Sequence, residues 1–409
     1  ADPAKGTVTI GGKTLREGDP ISIDGATGDI LLEDVPTAPP EVFRVLDGTL
    51  SRKASPSSDA FLTFMGWADE ARKLKVRANA DTPEDARMAI NLGAQGIGLC
   101  RTEHMFFAPG RIPHVVKMIL AAYEGQKGLD QEARLLPELA KARGKQRAAQ
   151  KAALAALRKR YGAAMRNYRQ ALAALLPMQR GDFEKLFTAM EGRPVTIRTL
   201  DPPLHEFLPK REELMVEVAR MEERGGRADP ASRRKLEAKR KLLRQVEDLH
   251  EFNPMLGHRG CRLGITYPEI TRMQGRAIFE AAARVQKRGI PVQLEVMVPL
   301  VGTLEELKRQ KAILVAEAEA VRERLGVTLS YLIGTMIEVP RAAVTAAEIA
   351  KEAAFFSFGT NDLTQMTLGI SRDDSPKFLL PYLSRGVIEK DPFVALDQDG
   401  VGQLMRWAI

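Results

Sequence analysis

Six polar residues close short apolar runs along this chain: Arg101 after GIGLC, Arg198 within VTIRTLD, Arg259 within MLGHRGCRL, Glu338 after GTMI, and Asn361 with Asp362 after FFSFGT. Their types divide into two chemistries. A guanidinium is a planar fork that holds a phosphate or carboxylate through two parallel hydrogen bonds. Two carboxylates brought together repel each other unless a cation lies between them, and a hard oxygen pair with room for water suits Mg²⁺. Three arginines and two acids at one place would serve an anionic substrate and a divalent ion. Plainer readings stand beside this one: Glu338 and Asp362 as helix caps or partners of Arg341, and the arginines as structural salt bridges.

Other signals do not hold up. LHEF occurs at 204–207 and again at 249–252, but the fourth residue after each histidine is Pro209 or Pro254, so neither is a zinc-binding HExxH. No GxxxxGK[ST] loop for a nucleotide phosphate is present. Cys100 and Cys261 are too few for a disulfide framework and have no CxxC partner, which fits a reducing compartment such as the cytoplasm.

The elements that must position these residues alternate between strand and helix. KVRANA (75–80), GIGLCRTE (96–103), VTIRTLD (195–201), VQLEVMVPL (292–300), YLIGTMIEVP (331–340) and FFSFGTNDL (355–363) are strand-like, and MLGHRGCRL (255–263) is a weaker seventh. Between them lie helical patterns such as TPEDARMAINLG, with Thr82 as cap, Pro83 in the first turn and a stop at Gly93. Such alternation implies a parallel sheet. The fold class expected is α/β, a (β/α)₈ TIM-type barrel truncated before its eighth strand, with the site at the C-terminal strand ends.

Residues 1–34 read as β-hairpins and residues 35–72 as a Pro/Ser-rich linker with a short helix, leaving 73–409 to the barrel. Two helical insertions interrupt it, near 121–170 and 209–248, the second with a Gly225-Gly226 break. The chain has 409 residues, 44% of them hydrophobic, and no apolar stretch near the roughly 18–20 residues of a membrane span. Its formal charge of +8 is carried entirely by residues 121–170, which hold twelve basic and four acidic residues. That segment reads as a solvated helical face. Nucleic acid is not expected as a partner, because Tyr123, Tyr161 and Tyr168 are its only aromatics.

Five long motifs, GIGLCRTEHMFF, TIRTLDPPLHEFLP, EFNPMLGHRGCRLGITYPEI, GTMIEVPRAA and FFSFGTNDLTQMTLGISRDD, resemble the PEP-utilising enzymes. The resemblance is to the C-terminal phosphoenolpyruvate-binding barrel of the pyruvate, phosphate dikinase family, from about residue 70 onward. It implies that Glu338 and Asp362 hold Mg²⁺, with Gly359, Thr360 and Asn361 lining the substrate. It also implies that Arg101, Arg198 and Arg259 clamp the phosphoryl group and developing enolate of phosphoenolpyruvate or pyruvate. By the same resemblance, residues 1–34 are the tail of a swivelling phosphohistidine domain.

The family's phosphohistidine motif (TSHAA type) and its cysteine motif (GICGEHGG type) match nothing in this chain, so no catalytic histidine or cysteine is assigned. The expectation is a fragment, inactive alone, that works with the phosphohistidine and ATP-binding domains of a longer enzyme as a homodimer. The insertions are longer than the family leads one to expect. Alternatives are a phosphoenolpyruvate synthase or another barrel of this family, and, in a different class, a non-catalytic scaffold using the basic insertion.

Overall fold

Short β-rich pairings and a parallel α/β sheet fall in separate parts of the chain. The structure, a computed structural model, describes residues 2, 5–25, 27–108, 110–224 and 229–409, without the side chain of Arg224. The Gly225-Gly226 break lies outside the described residues. The chain divides into two compact units, Ala1–Leu74 and Lys75–Ile409.

In the first unit, β1 (Thr7–Ile10) pairs antiparallel with β2 (Lys13–Arg16) across a Gly11-Gly12 turn, and β3 (Ser22–Ile23) with β4 (Ile30–Leu31). Residues 35–72 contain two helices, Glu41–Leu46 and Pro56–Ala71. The longer one starts where SPSS reads as linker by composition. Ser55 accepts a bond from the Ser58 amide at 3.3 Å and Pro56 occupies the first turn, so the same residues that mark a loop here mark a helix start.

In the second unit, six strands form one parallel sheet in sequence order: β5 (Ala78–Asn79), β6 (Ile97–Arg101), β7 (Pro194–Arg198), β8 (Gln293–Val298), β9 (Tyr331–Ile337) and β10 (Phe356–Phe358). Val195, Ile197, Val296, Val298 and Ile337 are at most 1% exposed. A parallel sheet covered on both faces needs such residues, each contributing about 1.5–3 kcal/mol on burial. The sheet curls. Arg77, just ahead of β5, grips Glu295 on β8 with contacts of 2.5 and 3.0 Å, although β5 and β8 would stand about 14 Å apart in a flat sheet. The result is an open, curled half-barrel of parallel strands, consistent with the TIM-type architecture.

The expected seventh strand is absent. Residues 255–263 form a short 3₁₀ turn, Pro254–Leu256, and the start of a helix, Gly260–Thr266. Two glycines and two charged residues interrupt that run, leaving too few consecutive apolar side chains for a strand buried on both faces. Two other strands end earlier than their sequences imply. β5 keeps only Ala78–Asn79 of KVRANA, and β10 stops at Phe358, so Asn361 and Asp362 sit in the first turn of the helix Thr360–Leu368.

The β6–β7 connection holds two long antiparallel helices, Ile112–Lys141 and Gly144–Met190. Tyr161 and Tyr168 are buried at 3% and 0% exposure and pack within the helical clusters, so they are unavailable for stacking on a base. The β7–β8 connection contains the helices Arg211–Arg224, Pro230–Leu249 and Pro268–Lys287. The helix Leu304–Leu325 follows β8, started by a Thr303–Glu306 capping box and stopped at Gly326.

Candidate active site at the C-terminal strand ends

The strand ends deliver a linked set of charges. Arg198 closes β7 and is 7% exposed. One terminal nitrogen, Nη2, donates to Glu103 at 2.5 Å, and the other, Nη1, lies 2.8 Å from Asp201. Arg259 stands just before the helix Gly260–Thr266. It reaches Asp201 through Nε at 3.2 Å and Nη2 at 2.6 Å, and Asp362 through Nη1 at 3.0 Å. Asp201 thus holds both guanidiniums.

Glu338 follows β9 and is fully buried. Its Oε1 accepts the Leu300 amide at 2.6 Å, while Oε2 has no partner. Burial first, then the negative charges of Asp201 and Asp362, push its carboxyl up to about 8, against the opposing pull of Arg198 and the Leu300 amide. Gly359 fits closely over it. A Cβ there would lie 2.8 Å from both Cβ and Oε2 of Glu338 and 2.7 Å from Met336 Sδ, so the β10 end can pass only without a side chain.

Arg101 takes a different partner. It stands in register with Arg198 on the neighbouring strand. Its amide donates to Asp81 at 2.6 Å and its guanidinium lies 3.8 Å from the same carboxylate, which also meets His104 Nδ1 at 2.7 Å. Asn361 is exposed and accepts from Arg372 at 2.9 Å. Thr360 is exposed at the start of the same helix. Arg341 donates to the Gly302 carbonyl, so it is not the partner of Glu338.

A cleft of about 890 Å³ opens here, lined by Arg259, Asn361 and Asp362 together with Pro202, Glu206 and Met366 among others. Arg198 and Glu338 lie buried and do not line it. Arg259 and Asp362 belong to both the cleft wall and the buried charge group.

Two features bear on what this group holds. With Glu338 ionised, as a metal ligand would be, the connected set has four carboxylates, Glu103, Asp201, Glu338 and Asp362, against two guanidiniums, Arg198 and Arg259, a shortfall of two positive charges; with Glu338 protonated, as its raised pKa favours without a metal, the shortfall is one. It also leaves a buried donor, Arg198 Nε, and buried acceptors, Glu103 Oε2 and Glu338 Oε2, without partners. Buried polar atoms normally find partners, so this pattern fits a divalent cation and an anion. Among the described residues no three His, Cys, Asp or Glu side chains form a ready metal cage. An ion at Glu338 and Asp362 would complete its shell with water or substrate oxygens, the habit of Mg²⁺.

The sequence reading missed Asp201, Glu103, Asp81 and Arg372. The one available signal was TLDPP after β7, where an acid three residues past Arg198 lies within reach of it.

Residues 56–408 match the family described as PEP-utilising enzyme, PEP-binding domain. The chain belongs to that family. Its relatives are named more narrowly: it is 48% identical over 400 residues to the chloroplastic pyruvate, phosphate dikinase of Mesembryanthemum crystallinum, covering 98% of this chain and 35% of that protein. The pyruvate, phosphate dikinases of Rhizobium meliloti and Clostridium symbiosum are 48% and 46% identical, over 97% and 98% of this chain and 36% and 38% of theirs. The chain therefore spans little more than a third of the length of these relatives. No helix among the described residues is long and apolar enough to cross a membrane.

Proposed function

We propose that this chain is the phosphoenolpyruvate- and pyruvate-binding part of a pyruvate, phosphate dikinase. The complete enzyme would interconvert ATP, pyruvate and phosphate with AMP, phosphoenolpyruvate and diphosphate through a phosphohistidine. The observation that carries the reading is the unpaired set at the strand ends: one buried guanidinium donor and buried carboxyl oxygens without partners, with a deficit of two positive charges once Glu338 is ionised.

Glu338 and Asp362 are the residues that would hold Mg²⁺. When bound, the ion supplies Lewis-acid stabilisation of negative charge on a substrate oxygen. The remaining work falls to the chain's own side chains. Arg198 presents its free Nε–H to an anionic oxygen. Arg259, on the cleft wall, offers Nη1 to a phosphoryl or carboxylate oxygen when Asp362 turns to the cation, while Asp201 keeps the fork oriented. Arg101 is paired with Asp81 at the adjacent strand end and reaches the substrate only by leaving that pair. Gly359, Thr360 and Asn361 carry the chain past the bound ester, where a side chain at Gly359 would strike Glu338.

Cys100 and Cys261 are buried, and burial drives both thiols upward, so neither is placed to exchange a proton with an enolate. Proton transfer and phosphoryl relay are assigned to groups beyond this segment, and the chain alone is not expected to turn over. Residues 1–34 are assigned to a swivelling domain, 35–72 to its connection, and 73–409 to the barrel with insertions near 121–170 and 209–248. Two buried cysteines without a disulfide are consistent with a reducing compartment, the cytoplasm or, as some relatives' names state, the chloroplast. Self-association as a dimer is part of the same proposal.

Calorimetry with phosphoenolpyruvate and Mg²⁺ tests this. Binding that needs the metal and falls at least tenfold in Arg198→Ala is expected. Metal-independent binding, or no change in the variant, contradicts the proposal.

A further inference from the structure

Among the described residues two non-glycine residues have a positive φ, Glu191 at 49° and Leu300 at 60°. Glu191 is an exposed helix C-cap, a common place for that conformation. Leu300 is not. It is fully buried just after β8, where the left-handed region disfavours a leucine and persists only if the surroundings impose it.

The surroundings do impose it. The Leu300 amide donates to Glu338 Oε1 at 2.6 Å, and its carbonyl accepts the Cys261 thiol at 3.2 Å. Its Cβ fills space that Gly260 leaves open: a Cβ on Gly260 would come within 2.8 Å of it. Two backbone bonds fix the same segment, Cys261 N to Pro299 O at 3.1 Å and Gly260 N to Asp201 O at 2.8 Å. Turning φ to the ordinary negative region would break either the bond to Glu338 or the one from Cys261. The Gly-Cys pair of GHRGCRL, which neither anion nor metal binding uses, thereby gains a purpose.

The geometry points to Leu300 as a positioning residue whose left-handed backbone, pinned by Gly260 and Cys261, orients Glu338 so that Oε2 is the oxygen presented to a cation. The side chain's identity matters less than its backbone conformation. This rests on the reading of Glu338 as a metal ligand.

Two substitutions separate a backbone role from simple core filling. Leu300→Gly keeps the left-handed conformation accessible but removes the side chain, whereas Leu300→Val keeps most apolar volume but, being β-branched, resists positive φ. Mg²⁺ affinity by calorimetry should stay within about threefold of the parent chain in Leu300→Gly and fall at least about tenfold in Leu300→Val. Core filling predicts the reverse order, and that order, or equal losses, overturns the inference.

Hydrogen exchange of the Leu300 amide without metal supplies a second readout. Slow exchange in the parent and at least about tenfold faster exchange in Cys261→Ala are expected, and equal rates overturn the inference even should the valine variant not fold. Absence of Mg²⁺ binding by the parent chain would instead refute the reading of the site, with the exchange experiment still deciding the role of Leu300.

Discussion

Replacing Glu338 by glutamine should make the metal-free protein more stable, although it removes a carboxylate from the centre of the site. The folded carboxyl titrates near 8 and an unfolded one near the ordinary 4.5. Between those values the folded state holds a proton that the unfolded state has released, so stability falls as pH rises through that window. At pH 7 about 2.5 of those pH units have been crossed, which at about 1.4 kcal/mol each costs the parent roughly 3 kcal/mol. Glutamine resembles the protonated acid at every pH. Its oxygen can accept the Leu300 amide, and its NH₂ takes the place of Oε2, within the field of the Asp201 and Asp362 carboxylates. Urea unfolding in a chelator, followed by circular dichroism from pH 5 to 8, should show Glu338→Gln gaining on the parent as pH rises, by up to about 3 kcal/mol at pH 7. Mg²⁺ should stabilise the parent and leave the variant unchanged. A variant less stable than the parent at pH 7, or a gap that widens toward acid, would refute the reasoning.

Three further outcomes follow from the same geometry. Asp201→Asn leaves Arg198 and Arg259 short of a buried partner, so it should cost about 3 kcal/mol in urea unfolding and abolish phosphoenolpyruvate binding; retention of both would contradict its place as their shared anchor. Gly359→Ala should displace Glu338, lowering stability by about 1–3 kcal/mol and Mg²⁺ affinity with it, and calorimetry showing parent-like affinity would count against the close fit. Gly128→Ala puts a Cβ 2.7 Å from Tyr161 and Met165 in the long helical hairpin. It should cost about 1–3 kcal/mol yet leave Mg²⁺ affinity untouched, and a shift in affinity would show that the hairpin and the site are coupled.

The parallel α/β sheet was legible because its central strands are short runs rich in β-branched and apolar residues, such as VTI before Arg198 and VMV in β8, which polar helix patterns separate. MLGHRGCRL was misread because Met255, Leu256, Cys261 and Leu263 at its two ends imitate the apolar content of a short strand, while Gly260 at φ 57° serves a tertiary fit that a one-dimensional pattern does not carry. Glu338, Asp362, Arg198 and Arg259 were legible as polar ends of apolar runs, and the structure gathers them into one charge group. Asp201 was not, because its importance comes from Arg259, 58 positions away. Nor was Leu300, whose sequence identity argues against the backbone conformation it adopts. Arg101 shows the converse: its position at a strand end is as expected, yet its partner Asp81 follows a different strand.

The most direct test is an anomalous difference map from a crystal of this chain soaked in Mn²⁺ in place of Mg²⁺. A single strong peak bridging Glu338 and Asp362, about 2.2 Å from an oxygen of each, is predicted. A map with no peak there, or with its metal held by other residues, would contradict the account.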